Sequence, residues 1–218
     1  MNRLRRIGVR ATLVAVPLAL AVLGATTEPA EAAARPGGSL TCRGEGVDPA
    51  AAVRYRTETV IHAPLSVIWK VQTDVRNWPS WQPSVTTVER LHHGPLRPGA
   101  AFRWTTPVPA TPSTPATSLT ITSTVRQIRH QACIRWTGPA FGEGLHIDGV
   151  HVWNFTKVEG GVLVRTEETH TGPQVDTNVP VATRLLGEGL EGWLRNLKAA
   201  AEAPRSPATG VVRTGVAG

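Results

Sequence analysis

No stretch of this chain holds the roughly 20 apolar residues that a membrane-spanning helix needs; the longest such run, Ala11 to Ala25, falls short. No phosphate-binding loop, dinucleotide fingerprint or nucleophile–base pair is present, which removes the common nucleotide-dependent and hydrolytic chemistries. Lysine is scarce, three residues against twenty arginines, and the basic residues never cluster. Without a basic stripe or a known module there is no case for nucleic-acid binding. Only two cysteines occur, and no His or Cys pair has the close spacing of a metal site, so no metal and no cofactor is expected. No internal repeat is visible.

What is there begins with the compartment. Arg3, Arg5, Arg6 and Arg10 precede the apolar run, and Ala30-Glu31-Ala32 follows it. A basic start, an apolar middle and an Ala-x-Ala end are the parts of a secretory signal peptide, here residues 1–34. The alternative is an uncleaved anchor, which the short run disfavours. The expected location is therefore secreted or extracytoplasmic. Removing residues 1–34 takes away four arginines and two glutamates and leaves 19 basic and 14 acidic residues, a net charge of +5. That charge allows peripheral association with an anionic envelope. In an oxidising compartment an even cysteine count favours a Cys42–Cys133 disulfide; the alternative is a loose Cys42 and a half-buried Cys133. Residues 204–218, rich in Pro, Gly, Ala and Thr, read as a disordered tail.

Between residues 35–52, an N-terminal extension, and that tail lies one domain, 53–203. Arg54 to His62 alternates as a strand does. Pro64 opens a helical pattern through Leu65, Ile68, Trp69 and Gln72, and Trp78-Pro79 ends it. Further strands are expected at 84–91, 101–105, 118–129 and 131–138. The segment 106–117 holds four prolines and is expected to be a loop rather than a central strand. Residues 145–158 and 162–171 flank Gly160-Gly161, a hairpin signal. The last element is a helix over 179–203, with Ala182, Leu186, Leu190, Trp193, Leu197 and Ala201 at spacings of three and four. Gly187, Gly189 and Gly192 weaken it, and leave room either for the sheet or for a ligand.

Strand, helix, several strands and a long amphipathic helix make an α+β pattern. Five places in it resemble one family. These are Ile61 to Pro64 followed by Ile68-Trp69; the turn Asp74 to Pro83, with Trp78 and Trp81; Leu96 to Trp104 around Gly99; His151, Trp153 and Phe155, then Gly160-Gly161, Glu168 and Gly172; and Trp193-Leu194. As an ordered set over about 55–203 they resemble the START-like (SRPBCC) superfamily, of the polyketide cyclase/dehydrase type. The resemblance implies a helix-grip fold, a curved antiparallel sheet wrapped around a long C-terminal helix with an apolar cavity between them. Family members include aromatase/cyclases, lipid carriers and hormone sensors, so the fold does not choose among them.

If Gly160-Gly161 is a two-residue turn, Phe155 faces Thr166, Trp153 faces Glu168 and His151 faces His170. All lie on one face of the hairpin, because strand side chains alternate. Glu168, His151 and His170 are therefore the candidate acid–base residues; the plain alternative is a hydrogen-bonded cluster near a sheet end. Trp104, Trp136, Trp153, Phe155 and Leu186 are the candidate ligand-binding residues, with ordinary core packing as the alternative for each aromatic ring. Trp69 and Trp193 are expected to pack helix against sheet. The leading functional expectation is a protein that binds a small hydrophobic or aromatic molecule; a second is a polyketide cyclase or dehydratase using Glu168 with His151 or His170, and a third is an envelope interaction protein with a filled core and no ligand.

Overall fold

The computed structural model describes residues 38–112 and 114–204. The expected signal peptide and all but the first residue of the expected tail lie outside them. The elements run β1 (Val53–Ile61), α1 (Leu65–Thr73), a 3-10 helix (Val75–Ser80), β2 (Thr87–Arg90), β3 (Ala101–Val108), β4 (Thr117–Arg129), β5 (Cys133–Gly142), β6 (Leu145–Val158), β7 (Gly161–Thr171), α2 (Pro173–Thr177) and α3 (Val179–Glu202). The strands form one antiparallel sheet in the order β1-β7-β6-β5-β4-β3-β2. This is an α+β helix-grip arrangement, with α3 against the sheet.

Each element follows from local chemistry. Pro64 caps α1, where its missing N–H costs nothing. The buried face of α1 is Ile68, Trp69 and Gln72. Asn178 caps α3, its side chain accepting the Val181 N–H at 3.3 Å. The buried face of α3 is Leu186, Gly187, Leu190, Trp193, Leu194, Leu197 and Ala201. Glycine at 187 permits a close approach to β1, because a Cβ there would stand 2.7 Å from the Tyr55 ring. A register shift between Val125 and Gln127 interrupts the β4–β5 pairing, the kind of irregularity that bends a strand.

Two expectations change. Thr106–Val108, assigned to a loop on account of its prolines, continues β3, with Pro107 opposite Ser118. Proline is tolerated because β2 pairs only as far as Thr105, so Pro107 has a neighbouring strand on one side alone. The β6–β7 turn is Glu159-Gly160, with Val158 opposite Gly161. Gly160 takes the positive φ of 74°. Gly161 belongs to the strand, where a Cβ would lie 2.5 Å from the Ile61 carbonyl oxygen of β1. The two glycines thus serve different ends, a turn and a close strand approach.

Part of the other face of the sheet, over β5, β6 and β7, is covered by the extension. Cys42 and Cys133 form a disulfide with 5.4 Å between their Cα atoms. Leu40, Cys42, Val47, Cys133 and Val152 make a small separate core around it. Glu167, 1% exposed, anchors the same segment. It accepts the Leu40 N–H at 2.5 Å and the Ser39 hydroxyl at 3.2 Å, and its other oxygen accepts Arg54 Nε at 2.6 Å. A buried carboxylate needs that many donors to offset its lost hydration. Residues 38–48 are therefore packed against the sheet, not hung from it.

Candidate functional site

A cavity of about 410 Å³ lies beneath α3. Its walls come from the inner face of β3–β7, from α2 and α3, and from the 3-10 helix. Trp78, Trp104, Trp136 and Trp193 line one region; Leu119, Ala140, Leu145, Ile147, Leu186 and Leu190 line another. Pro107, Val108, Pro109, Thr111 and Thr114 also reach it, so the proline-rich segment forms part of the wall.

The tryptophans brace each other. Trp78 is 1% exposed and meets Phe102, Trp104 and Trp193 edge-on, with centroids 5.2, 5.9 and 4.9 Å away. Edge-to-face pairs contribute about 0.5–1.5 kcal/mol each beyond area burial. The Trp78 indole N–H donates to the Gln72 carbonyl oxygen, and the Trp193 indole N–H to the buried Gln72 side-chain oxygen, both at 3.0 Å. Trp104 donates to Ser123 at 3.1 Å. The rings are fixed in orientation, which makes a rigid apolar wall.

Of the five candidate ligand-binding residues, Trp104, Trp136 and Leu186 line the cavity. Trp153 and Phe155 are not in its lining; both are buried in the main core. Their side of β6 does point inward, but they lie farther toward the hairpin tip than His151 and pack with α1 and α3, Phe155 against Trp69 at 5.3 Å and Trp153 against Trp193 at 6.4 Å. Trp78, placed by the sequence in the turn after the first helix, and Trp193, expected to pack helix against sheet, line the cavity as well.

The three candidate acid–base residues come together at the cavity wall. Their pairing differs from the expected one by two residues: His151 is opposite Glu168, Trp153 opposite Thr166 and Phe155 opposite Val164. A two-residue shift preserves the face, so the side chains still converge. His151 Nδ1 lies 3.2 Å from one Glu168 oxygen, and His170 Nε2 lies 3.3 Å from the other. His151 Nε2 lies 2.6 Å from the Thr166 hydroxyl. Burial pushes the His151 imidazole below its ordinary value, against the opposing pull of Glu168. A neutral ring with Nδ1–H donating to Glu168 and Nε2 accepting from Thr166 satisfies every group. Burial alone would raise the Glu168 carboxyl; electrostatic attraction to the His151 ring, the hydrogen bond from His170 and attraction to the His170 ring outweigh it and hold the carboxyl below its ordinary value. The result is a carboxylate held between two imidazoles at the edge of an apolar chamber.

Three further residues of this site carry no sequence signal of their own. Thr166 is found only with the right hairpin register. Gly138 and Gly149 face each other across β5 and β6 and line the cavity. The remaining histidines lie elsewhere: His62 Nδ1 meets the Gly160 carbonyl oxygen at 2.9 Å, His92 Nδ1 meets the Ala101 carbonyl oxygen at 2.9 Å, His93 is exposed, His146 stacks on Phe141 at 4.6 Å, and His130 packs edge-on against Trp69 at 5.5 Å. Among the described residues, no group of three His, Cys, Asp or Glu side chains is arranged to hold a metal ion.

This architecture recurs in solved structures. TTHA0849 from Thermus thermophilus superposes with a TM-score of 0.53 at 18% identity, over 68% of this chain and 96% of that one. A START superfamily protein from Mycobacterium smegmatis gives 0.52 at 14% identity, over 68% and 97%. The di-domain ARO/CYC StfQ of the steffimycin biosynthetic pathway gives 0.53 at 20% identity, over 69% of this chain and 50% of that larger one. At these identities the likeness is one of fold. No curated protein matches the chain. Residues 52–202 match the family model described as polyketide cyclase / dehydrase and lipid transport, and with that span, most of the chain, the protein belongs to this family.

Proposed function

We propose that the protein is an exported binding protein that holds a small hydrophobic or aromatic molecule in the cavity beneath α3. One observation carries the reading: a chamber of about 410 Å³, walled by four tryptophans and a band of aliphatic side chains, with His151, Glu168 and His170 clustered at its side. A concave, mostly apolar cavity with a few convergent polar groups is the usual form of a small-molecule site. Export is supported by the basic, apolar and Ala-x-Ala pattern of residues 1–34 and by the disulfide, which persists in oxidising compartments. Native mass spectrometry of protein recovered from its own producing cells and medium should reveal a retained small molecule. A clean apo mass, with no uptake from a panel of lipids and polycyclic aromatics, would sink the binding role; a mature chain still bearing residues 1–34 in the cytoplasm would sink the export.

The placement of His151, Glu168 and His170 in the cavity wall supports a second reading, a cyclase or dehydratase acting on a polyketone. Glu168 would take the proton from a carbon flanked by two carbonyls. The enolate carbon would then close on another carbonyl, and the new alkoxide would take a proton back before water is lost. Glu168→Gln should abolish turnover without unfolding the protein; unchanged turnover excludes that base.

A further inference from the structure

Charge around the cavity narrows the class of guest, on the reading that the cavity binds one. Among the described residues the lining carries two carboxylates, Glu168 and Glu188, and no lysine or arginine. Glu188 is exposed and already paired with Arg184 at 2.8 Å on the surface of α3. Glu168 faces the interior. An anionic head group would enter with no lysine or arginine to meet and with the Glu168 carboxylate beside the two imidazoles it already engages, and an unpaired charge in an apolar cavity is heavily penalised.

Glu168 also has capacity to spare. One oxygen lies 3.2 Å from His151 Nδ1 and the other, which His170 reaches with a hydrogen bond, lies 3.3 Å from His170 Nε2. A carboxylate offers about four acceptor positions, so each oxygen keeps one open. Beside Oε1 the wall is bare backbone. Gly138 and Gly149 are directly paired there, and a Cβ placed on Gly149 would lie 3.4 Å from Glu168 Oε1 and 3.4 Å from the Gly138 carbonyl oxygen. The missing side chain of Gly149 leaves a path to Oε1 from within the cavity, whereas a Cβ on Gly138 would meet the Thr122 carbonyl oxygen at 2.7 Å.

We infer that the cavity selects a neutral apolar molecule carrying a hydroxyl, which donates its hydrogen to Glu168 Oε1 over the Gly138–Gly149 pair, and that it rejects carboxylates. A hydroxyl has one hydrogen to place, and Oε1 has one position to receive it. An ammonium brings three donors, of which Oε1 satisfies one.

The test uses one ring system with different polar ends: a phenanthrene bearing a hydroxyl, a carboxylate or an aminomethyl group, and the bare hydrocarbon. Binding to the oxidised mature protein is read from quenching of the cavity tryptophans. The hydroxyl compound should bind about tenfold or more tighter than the carboxylate, the scale of one hydrogen bond to a charged group, and tighter than the hydrocarbon. Gly149→Ala should remove most of the hydroxyl's advantage over the hydrocarbon, read as the ratio of the two affinities. Glu168→Gln should bring the hydroxyl and carboxylate compounds close together, and it stands as the test if Gly149→Ala does not fold. Carboxylate or aminomethyl binding as tight as the hydroxyl in the unaltered protein overturns the inference and leaves the binding role standing. Failure of all four compounds to bind overturns the inference, and the retained-molecule and lipid-uptake measurement then decides the binding role separately.

Discussion

Gly187 and Gly189 sit two residues apart in α3 and should respond oppositely to the same substitution. A Cβ at Gly187 would stand 2.7, 2.9 and 3.0 Å from three Tyr55 ring atoms. The ring has little freedom to retreat, because its hydroxyl donates to Glu191 at 2.5 Å. Overpacking of this kind costs about 1–3 kcal/mol, and the gain in helix propensity from Gly to Ala returns only about 1 kcal/mol. Gly187→Ala should therefore be destabilising by up to about 2 kcal/mol. At Gly189 nothing lies within 4 Å of the added Cβ, so Gly189→Ala should show the propensity gain unopposed, about 1 kcal/mol. For a domain of this size 1 kcal/mol moves the melting temperature by about 2–4 °C. Thermal unfolding followed by circular dichroism should give a lower melting temperature for Gly187→Ala and a higher one for Gly189→Ala. Gly189 also lines the cavity, so Gly189→Trp should keep the fold and weaken uptake of large guests. If both alanine variants move the same way, the close contact between α3 and β1 does not exist as described, and the placement of the cavity beneath α3 loses its support.

Three other perturbations follow from particular contacts. The disulfide closes a loop across a sequence separation of 91, for which the chain-entropy relation gives about 4.5 kcal/mol; Cys42→Ser with Cys133→Ser should shift the urea midpoint by about 2 M, and a shift under about 0.5 M refutes a constraint acting on the unfolded chain. Glu167 is buried with four donor contacts from Ser39, Leu40 and Arg54, so Glu167→Ala should cost about 1–3 kcal/mol and expose residues 38–48 to limited proteolysis, while an unchanged digestion pattern would show that the disulfide alone holds them. His151 is held below its ordinary value mainly by burial, so below about pH 6.5 the unfolded chain binds a proton that the native protein refuses. That stability is complete above the unfolded value and is lost as pH falls through the native one; Glu168, also depressed, adds a loss of the same sign at more acid pH. Melting temperature should fall on acidification from neutrality, and His151→Asn should flatten the first part of that slope; an unaltered slope assigns it to other groups.

Chain order and alternation were enough to place most of the fold. The spacing in α3 fixed its buried face because a helix has one period and that face had one sheet to meet. Trp104 and Trp136 were legible as inward residues for the same reason, since a strand that alternates has only two faces. The hairpin shows where this ends. Either glycine of Gly160-Gly161 could make a turn on local grounds; Gly161 is in the strand because the Ile61 carbonyl oxygen of β1, a hundred residues earlier in the chain, would collide with any side chain there. The acid–base cluster survived the resulting shift only because the shift was an even number of residues.

Residue pattern by itself settled the class of elements, their order and which way each strand faces, because these depend on neighbours a few positions apart. Which inward rings line open space and which fill the core, how His151, Glu168 and Thr166 meet, and what covers the far side of the sheet were decided only by the fold. Those outcomes depend on distances between segments remote in sequence, Gly187 against Tyr55, Gly138 against Gly149 and Leu40 against Glu167, and no local periodicity encodes such distances.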